Sequence, residues 1–409
     1  MNSVSGESRH DVVIVGAGIA GTALALALAD SGLSIALVEA RPLQRSALPD
    51  ARDLESFDLR VSALTPASVG FLETLGAWDT IDTYRHCPYH HMTVWDAEGT
   101  GRIEFDRDEI DAPRLGSIVE NRAIVDALLA ALERNAGSVR PLSPVRVESI
   151  ERESDGTQCL QLEDGATLRT ALVVGADGAL SRVRGLFDFA TREWDYGHRG
   201  IVATVQTERP HADTAWQRFL ASGPLALLPL PGTPQAHFCS IVWSITDALA
   251  EELLAMDSAD FCAALGEASE HCLGEVTGVG QRAGFPLRQR HARDYVQPGV
   301  ALVGDAAHTI HPLAGQGINL GLADVAALAR ELAAARERGE APGDIAVLRR
   351  YQRQRKGENL AMMAAMEGFK RLFESESLPL RWLRNAGMRG VADIAPLKQR
   401  LMRHAMGIQ

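Results

Sequence analysis

Cysteine is scarce in this sequence and has no framework spacing. The five cysteines, an odd number, include no CxxC pair. Disulfide-stapled domains and zinc ribbons need cysteines paired at short spacing. We therefore predict free thiols in a reducing compartment, with neither a disulfide framework nor structural zinc.

Long apolar runs are also missing. No stretch of about 18 uninterrupted apolar residues occurs, so no membrane-spanning helix is expected. The opening MNSVSGESRHD has no apolar core of the kind that a secretory signal carries. An apolar share of 46% and a charged share of 23% are ordinary for a globular protein in water. A chain of 409 residues predicts two to three domains.

Positive charge is scarce except near one end of the chain. The net charge is −12, but residues 345–409 hold 13 Lys and Arg against 5 Asp and Glu, a balance of +8 that leaves −20 for the rest. An acidic body disfavours binding to nucleic acid. The basic segment could meet anionic lipid or an acidic partner. The alternative is an ordinary solvated helical face.

A dinucleotide-binding fingerprint lies near the start. An apolar run is followed by GAGIAG, a helical pattern and a second apolar run that ends in Glu39. In this βαβ context Gly16 permits a tight turn, Gly18 lets the backbone approach a pyrophosphate, and Gly21 lets helix and strand pack closely. Because Glu39 stands where a ribose-binding acid belongs, the pattern favours FAD or NAD over NADP.

Two later apolar runs each end in a carboxylate beside glycine. Gly304 and Asp305 follow one predicted strand, and Asp177 and Gly178 follow another. Ligands of open α/β sheets bind at the carboxyl ends of the strands. Two strand ends that meet one dinucleotide would explain both motifs.

The loop after Asp305 contains further candidates for ligand contact. Gly315 and Gly317 have no Cβ, so their backbone can approach a flat ligand closely. The helix that follows directs free N–H groups and a positive dipole end towards the loop. This suits the negative charge of a reduced flavin. The alternative is an ordinary strand–loop–helix unit.

Several other motifs have weaker interpretations. Arg60 ends a polar loop at 41–60 and could reach a pyrophosphate, although a surface arginine is the alternative. His90 and His91 are neighbours on a predicted strand and face opposite ways, which makes a poor metal site. Gly278-Val279-Gly280 lacks a βαβ context, so we predict one dinucleotide site.

Periodicity predicts the domain organisation. Helices are expected over 61–80 and 118–132, whereas alternation from 186 to 285 predicts a mainly antiparallel sheet. The fold class is α/β, with a discontinuous nucleotide-binding domain, an inserted substrate domain and a C-terminal helical segment. The nucleotide-binding domain is expected over 1–80, 115–185 and 285–345. The substrate domain is expected over 81–114 and 186–284, and the C-terminal helical segment over 346–409.

Together these residues resemble the three motifs of the single-component aromatic flavin hydroxylases, the para-hydroxybenzoate hydroxylase superfamily. The motifs are GAGIAG with Glu39, GADGALSRVR at 175–184 and VGDAAHTIHPLAGQGINLG at 303–321. Within it, the chain is most similar to the ubiquinone-biosynthesis hydroxylases, on segments such as DLRVSAL (58–64), CPYHHMTVWD (87–96) and LRRYQRQRK (348–356). Asn121 stands where many superfamily members have Arg or Gln, but the ubiquinone subfamily is similar there.

The resemblance implies a Rossmann-like FAD-binding domain, with NAD(P)H as electron donor and O2 as co-substrate. The FAD contacts that it implies are Gly16, Gly18, Gly21, Glu39, Arg60, Asn121, Asp177, Gly178, Gly304, Asp305, Pro312, Gly315, Gln316, Gly317, Ile318 and Asn319. Asp177 and the arginines after it are candidates for shared contact with FAD and NAD(P)H.

The resemblance also implies ring hydroxylation of a polyprenyl-phenol through a flavin C4a-hydroperoxide. His311 and Pro312, beside the flavin, are the catalytic candidates, with His311 as a proton relay for the phenol. His308 is expected to be satisfied within its own turn. Asp305, His308 and His311 have a metal-like spacing, but Pro312 breaks a single helical face, and we predict no metal.

Three functions stay open at this point. The leading hypothesis is the polyprenyl-phenol hydroxylase, cytoplasmic, with contact at the surface of the inner membrane and in a biosynthetic protein complex. The second is a flavin enzyme that acts on another aromatic or isoprenoid substrate. The third is a non-catalytic FAD-binding scaffold subunit. The ring carbon, the prenyl tail length and the choice between NADPH and NADH are not readable from the motifs.

Overall fold

The computed structural model describes residues 7–97, 101–135, 137–309 and 317–374, and also 385–407 except 386, 388, 389 and 392. The strands are Glu7–Val15 (β1), Ile35–Val38 (β2), Val61–Leu64 (β3), Cys87–Tyr89 (β4), His91–Asp96 (β5), Arg102–Asp106 (β6), Gly116–Glu120 (β7), Val139–Leu142 (β8), Val147–Arg152 (β9), Gln158–Leu162 (β10), Thr167–Gly175 (β11), Thr191–Thr207 (β12), Thr214–Leu220 (β13), Gly223–Thr233 (β14), Ala236–Thr246 (β15), Val276–Ala292 (β16), Val296–Gln297 (β17), Val300–Leu302 (β18) and His308–Thr309 (β19). The α-helices are Ile19–Ala27 (α1), Pro66–Thr74 (α2), Trp78–Tyr84 (α3), Asn121–Arg134 (α4), Arg182–Leu186 (α5), Asp247–Ala255 (α6), Ser258–Ala268 (α7), Gly317–Glu337 (α8), Ile345–Glu374 (α9) and Ala395–Ala405 (α10).

A largely parallel sheet forms the centre of the nucleotide-binding part. Its order is β17-β18-β11-β1-β2-β8, and β9 and β10 extend it by antiparallel pairing. The central strand β1 carries fully buried Val12, Val13 and Ile14. Helices α1, α4 and α8 pack together beside this sheet. Strands covered in this way read as continuous apolar runs, which is why β1 and β2 were visible in the sequence.

A second sheet is mainly antiparallel, in the order β19-β16-β12-β15-β14-β13-β5-β6, with β13 and β5 parallel. Helices α6 and α7 cover one of its faces, where Phe261 and Leu265 pack with Ile201 and Val205. A small third sheet pairs β3 and β4 with β7. The α/β fold with an antiparallel sheet and C-terminal helices is thus confirmed. The exact domain boundaries stay a prediction.

Two predicted helices are wrong in part. Residues 61–64 form β3 before α2 begins, and residues 118–120 belong to β7, so that α4 begins only at Asn121. The two strands pair with each other, with Val61 opposite Glu120. Short apolar runs do not reveal such pairing, because a buried strand and a helix segment look alike over four residues. A stronger indication of where α2 begins is the pair Thr65 and Pro66. Thr65 caps the helix, because its hydroxyl accepts a hydrogen bond from the Ser68 N–H (3.2 Å), and Pro66 occupies the first helical position.

Other differences are smaller. Helices α6 and α7 lie in a region predicted to be mainly sheet, and α7 begins at an Asp257 cap whose carboxylate accepts from the Asp260 N–H at 2.9 Å.

All five cysteines are free thiols. No helix in the described part of the chain is both long enough and apolar enough to cross a membrane.

Candidate FAD site

The three predicted motifs meet at one edge of the parallel sheet. Val15 of β1 pairs with Val38 of β2 and with Gly175 of β11, and Gly175 pairs with Leu302 of β18. The glycine loop, Glu39, Asp177 and Asp305 therefore all follow strand ends at the same edge. This is the edge at which ligands of open α/β sheets bind.

The three glycines of the loop differ in what a side chain would meet. A Cβ on Gly21 would lie 1.8 Å from the Gly16 carbonyl oxygen, and a Cβ on Gly16 would lie 2.6 Å from the Ala176 oxygen. Gly16 also has a φ of +101°. A Cβ on Gly18 would meet no described protein atom within 4 Å. Packing thus requires Gly16 and Gly21, whereas Gly18 borders open space at the start of α1.

The start of α1 is suited to negative charge. Gly18 is its N-cap, and its first turn contains no acidic residue and, within the described chain, no side-chain cap. Glu39 lies next to this loop, because its Oε2 accepts a hydrogen bond from the Ala17 N–H at 2.7 Å. Free N–H groups at a helix N-terminus bind phosphate. These residues fit the pyrophosphate and ribose of a dinucleotide such as FAD.

Asp305 and Arg60 interact electrostatically at the same edge of the sheet. The Asp305 side chain is exposed. The protein around its carboxyl group nevertheless desolvates it, and this raises the pKa of the carboxyl group, an effect that the charges of His308 and Arg60 partly offset. The Arg60 side chain is exposed. An acid and a guanidinium facing the sheet edge fit the sugar and phosphate groups of the cofactor.

Asp177 has a structural partner of its own. Its Oδ2 accepts hydrogen bonds from the N–H groups of Arg182 (2.6 Å) and Val183 (3.1 Å) at the start of α5. Its buried Oδ1 has no hydrogen-bond partner among the described residues. Arg184 donates to the Ala306 carbonyl at 2.9 Å and so ties this motif to the Asp305 turn. Gly178 has a φ of +81° and open space beside it.

Asn121 and Asn319 hold the strand β3. Asn121 Oδ1 accepts from the Ser62 hydroxyl at 2.7 Å. Asn319 Nδ2 donates to the Ala63 carbonyl (2.8 Å), and its Oδ1 accepts from the Thr65 N–H (3.0 Å). Their side chains therefore have protein partners, and their contact with FAD stays a prediction.

The remaining predicted contacts divide into two groups. A Cβ on Gly317 would meet no atom of the described residues within 4 Å, Ile318 is half-buried, and Gly304 has a φ of +57°. Predicted residues His311, Pro312, Gly315 and Gln316 lie outside the described residues.

Sequence reasoning missed an ion pair that supports Arg60. Arg85 Nε lies 2.6 Å from Glu120 Oε1, and both side chains are buried. Glu120 Oε2 accepts from the Asp58 N–H at 2.7 Å, two residues before Arg60. The partners are 35 positions apart, so no local pattern could have indicated the pair.

His308 is also placed differently from the prediction. It is not satisfied within its own turn, because its Nε2 lies 2.5 Å from Oδ2 of Asp324 in α8. The Gly278-Val279-Gly280 motif lies inside β16, where a Cβ on Gly280 would come within 2.8 Å of the Leu54 carbonyl oxygen. Close passage of the 41–60 loop explains the Gly280 position.

Cys87, His211 and Asp213 stand close enough together to hold a metal ion. However, His211 Nε2 donates to the Leu230 carbonyl (3.0 Å), and its Nδ1 accepts from the Asp213 N–H (3.1 Å). Burial raises the pKa of the Cys87 thiol to about 12. A ligand set without a free imidazole lone pair or an accessible thiolate is a poor metal site.

Within the described residues, the fold and the site define a dinucleotide-binding protein with one such βαβ unit at the edge of a parallel sheet. The chain belongs to the FAD binding domain family, which matches residues 9–365.

Three similar proteins illustrate the relationship. The 3-demethoxyubiquinol 3-hydroxylase of Escherichia coli is 40% identical over 399 residues, covering 97% of this chain and 98% of that protein. Ubiquinone hydroxylase UbiL of Rhodospirillum rubrum is 38% identical over 403 residues, covering 98% and 91%. Among solved structures, PqsL of Pseudomonas aeruginosa, a probable FAD-dependent monooxygenase, has a TM-score of 0.77 at 25% identity and covers 94% of this chain and 100% of its own.

Proposed function

We propose that this protein is an FAD-dependent monooxygenase that hydroxylates the aromatic ring of a polyprenylated phenol in ubiquinone biosynthesis. NAD(P)H supplies the electrons and O2 the oxygen atom. The observation that carries the proposal is the nearly end-to-end similarity to a 3-demethoxyubiquinol 3-hydroxylase and to a ubiquinone hydroxylase. The open glycine loop supports it, because the chain retains the parts that a cofactor needs.

The residues at the sheet edge would hold FAD by complementary charge. The backbone around Gly18 and the start of α1 would bind the pyrophosphate, and Glu39 would bind the ribose. Arg60 and Asp305 would contact the pyrophosphate and the ribityl chain. The other proposed contacts are Gly16, Gly21, Asn121, Asp177, Gly178, Gly304, Pro312, Gly315, Gln316, Gly317, Ile318 and Asn319.

Bound FAD, once reduced, supplies the chemistry that transfers one oxygen atom from O2 to the ring. The chain orients the flavin and the phenol and excludes water from them. A phenol ionises only near pH 10, so a nearby proton acceptor would make the ring more electron-rich. We keep His311, next to Pro312, as the candidate for that role.

We also propose that the protein contacts an anionic membrane surface through α10. Lys398, Met402 and Met406 face the protein, and Lys398 Nζ lies 2.5 Å from Glu109 Oε1. Ile394, Leu397 and Leu401, at helical spacing, stay 52%, 41% and 45% exposed. The helix has no acidic residue and carries further basic residues at Arg400 and Arg403. An apolar stripe beside positive charge is typical of helices that lie in a lipid interface.

Purified protein loaded with FAD tests the function directly. With NAD(P)H, O2 and a polyprenyl-phenol, we expect a product heavier by one oxygen atom, and cells that lack the protein should accumulate a polyprenylated ring one oxygen short. Hydroxylation confined to small phenols would favour another aromatic substrate. FAD binding without NAD(P)H turnover would favour a scaffold. The position of the missing oxygen would identify the ring carbon.

A further inference from the structure

Asp324 of α8 is a fully buried carboxylate that links separate parts of the chain. It accepts hydrogen bonds from the Gly304 N–H (3.2 Å) and from His308 Nε2 (2.5 Å). It also accepts from Arg355 Nε (2.9 Å) and Asn359 Nδ2 (3.1 Å), both on α9. Its exposed fraction is 0%. Four donors from three segments converge on this one side chain.

This carboxylate stays charged inside the protein. Burial alone would disfavour the anion, but His308 and Arg355 outweigh that effect, and the pKa of Asp324 is lowered. A buried charge is tolerated only when it is paired and fully hydrogen-bonded. Removing the charge therefore disturbs every donor around it.

The donors lie on both sides of the Asp305 turn. Gly304 precedes Asp305, and His308 follows it in β19. A Cβ on Gly304 would lie only 3.4 Å from the Ala20 side chain, so the turn already packs against α1 beside the glycine loop. A small displacement of this turn would therefore change the spacing between the glycine loop and Asp305.

Helix α9 is tied to the same strand end by further buried groups. Tyr351 donates to the Leu302 carbonyl at 2.8 Å, two residues before Gly304. Asn359 Nδ2 also reaches the Tyr295 hydroxyl at 3.3 Å. The start of the basic C-terminal segment is thus fixed to the cofactor edge of the sheet.

We propose that Asp324 is a positioning residue for FAD. It holds the Gly304–Asp305 turn in register with the glycine loop and couples the placement of α9 to the flavin. The inference rests on the proposed FAD site, and it is independent of the proposed substrate. Misplacing a binding group by about 1 Å can cost roughly 100-fold in rate.

The variant Asp324→Asn tests the proposal, because it keeps the side-chain shape and removes the charge. We expect FAD to dissociate at least about tenfold more readily, the size of one lost charge-assisted hydrogen bond. The absorption maximum of the bound flavin should shift, and a larger share of NAD(P)H oxidation should yield hydrogen peroxide. FAD affinity is measured by fluorescence titration of the apoprotein.

Arg350→Gln is the matched control. Arg350 pairs with Glu331 of α8 at 2.9 Å and with Glu340 at 2.5 Å, so this variant also breaks an ion pair between α8 and α9, but one that includes neither Gly304 nor His308. We expect it to bind FAD as the wild type does. Equal FAD affinity and equal flavin spectra in Asp324→Asn and Arg350→Gln would overturn the proposal.

A fallback variant covers the case in which Asp324→Asn does not fold. His308→Gln keeps the buried anion and can still donate to it, while changing the geometry on one side of the turn. We expect weaker FAD binding from this variant as well, and wild-type affinity in it would overturn the proposal. Wild-type protein that binds no FAD would overturn both the proposed function and this inference, whereas FAD-binding wild type with an unaffected His308→Gln would overturn the inference alone.

Discussion

At the scale of single residues, different glycines of the glycine loop serve packing and ligand binding. Gly16 and Gly21 touch backbone atoms so closely that no side chain fits. Gly18 has open space where its Cβ would be, and its φ of −71° suits any residue. The same motif therefore contains glycines that serve the fold and one that serves the ligand.

We expect Gly18→Ala to fold normally and to bind FAD at least about tenfold more weakly, a loss of about 1.4 kcal/mol. The added methyl group would occupy space that the pyrophosphate approaches. Gly21→Ala should instead destabilise the fold by about 1–3 kcal/mol or more, as overpacking does. Thermal unfolding and FAD titration of both variants check this, and unchanged FAD affinity in Gly18→Ala would place the pyrophosphate elsewhere.

We expect the Asp305 carboxylate to lower the stability of the apoprotein while it strengthens the binding of FAD. Desolvation by the surrounding protein raises the pKa of its carboxyl group although the side chain is exposed, so its charge is unfavourable in the folded apoprotein at neutral pH. Stability from this group is present below the usual carboxyl pKa of about 3.9 and is lost as pH rises through the folded pKa. We expect Asp305→Asn apoprotein to be more stable than wild type at pH 7, with a gain that shrinks towards pH 4, and to bind FAD less well. A stability difference that does not depend on pH would contradict this account.

At the scale of elements, α10 has two different long sides. One packs against residues 109–115 through Met402, joined by Met406 just beyond the helix, and the other exposes apolar and basic groups. On a helix that faces water, these exposed apolar side chains contribute no burial energy to the stability of the protein. At a lipid interface each would be buried, and each nearby basic residue would add about 1 kcal/mol.

We expect Leu397→Glu and Leu401→Glu to weaken binding to phosphatidylglycerol-containing vesicles in co-sedimentation, and salt to weaken wild-type binding. Leu360→Glu is the control, because Leu360 is 44% exposed on α9, outside the proposed surface. Loss of binding in all three variants alike would argue against a specific role for α10. Self-association that disappears in the α10 variants would instead indicate a second copy of the chain as the occupant.

At the scale of the whole molecule, buried titratable groups set the response to acid. His291 is buried beside the Tyr295 hydroxyl (3.0 Å). Desolvation, followed by the charges of His308 and Lys356, lowers the pKa of His291 to about 4. The folded protein therefore holds His291 neutral in a range where the unfolded chain would protonate it.

We expect the stability of the protein to fall as the pH drops from about 6.5 towards 4, because unfolding then takes up a proton at His291. Urea unfolding at several pH values measures this. His291→Gln should be less stable at pH 7 but should show a flatter dependence between pH 6.5 and 4. An equally steep dependence in the variant would assign the effect to other groups.

The sequence by itself determined the βαβ unit, Glu39, the two strand-end acids and the mainly antiparallel sheet. The first three are each encoded within about 25 neighbouring residues by glycine placement or spacing, and each strand of the sheet by alternation over a few residues, which are local properties. The FAD family and the α/β fold class followed from them.

Tertiary structure decided the rest. The pairing of β3 with β7 turned part of two predicted helices into strand, and Asp324 rather than a local group became the partner of His308. Arg85 pairs with Glu120, which is 35 positions away in the chain. The 41–60 loop passes so close to position 280 that only glycine fits there. Such contacts join residues that are distant in the chain, and their energies depend on burial and geometry that no local pattern contains.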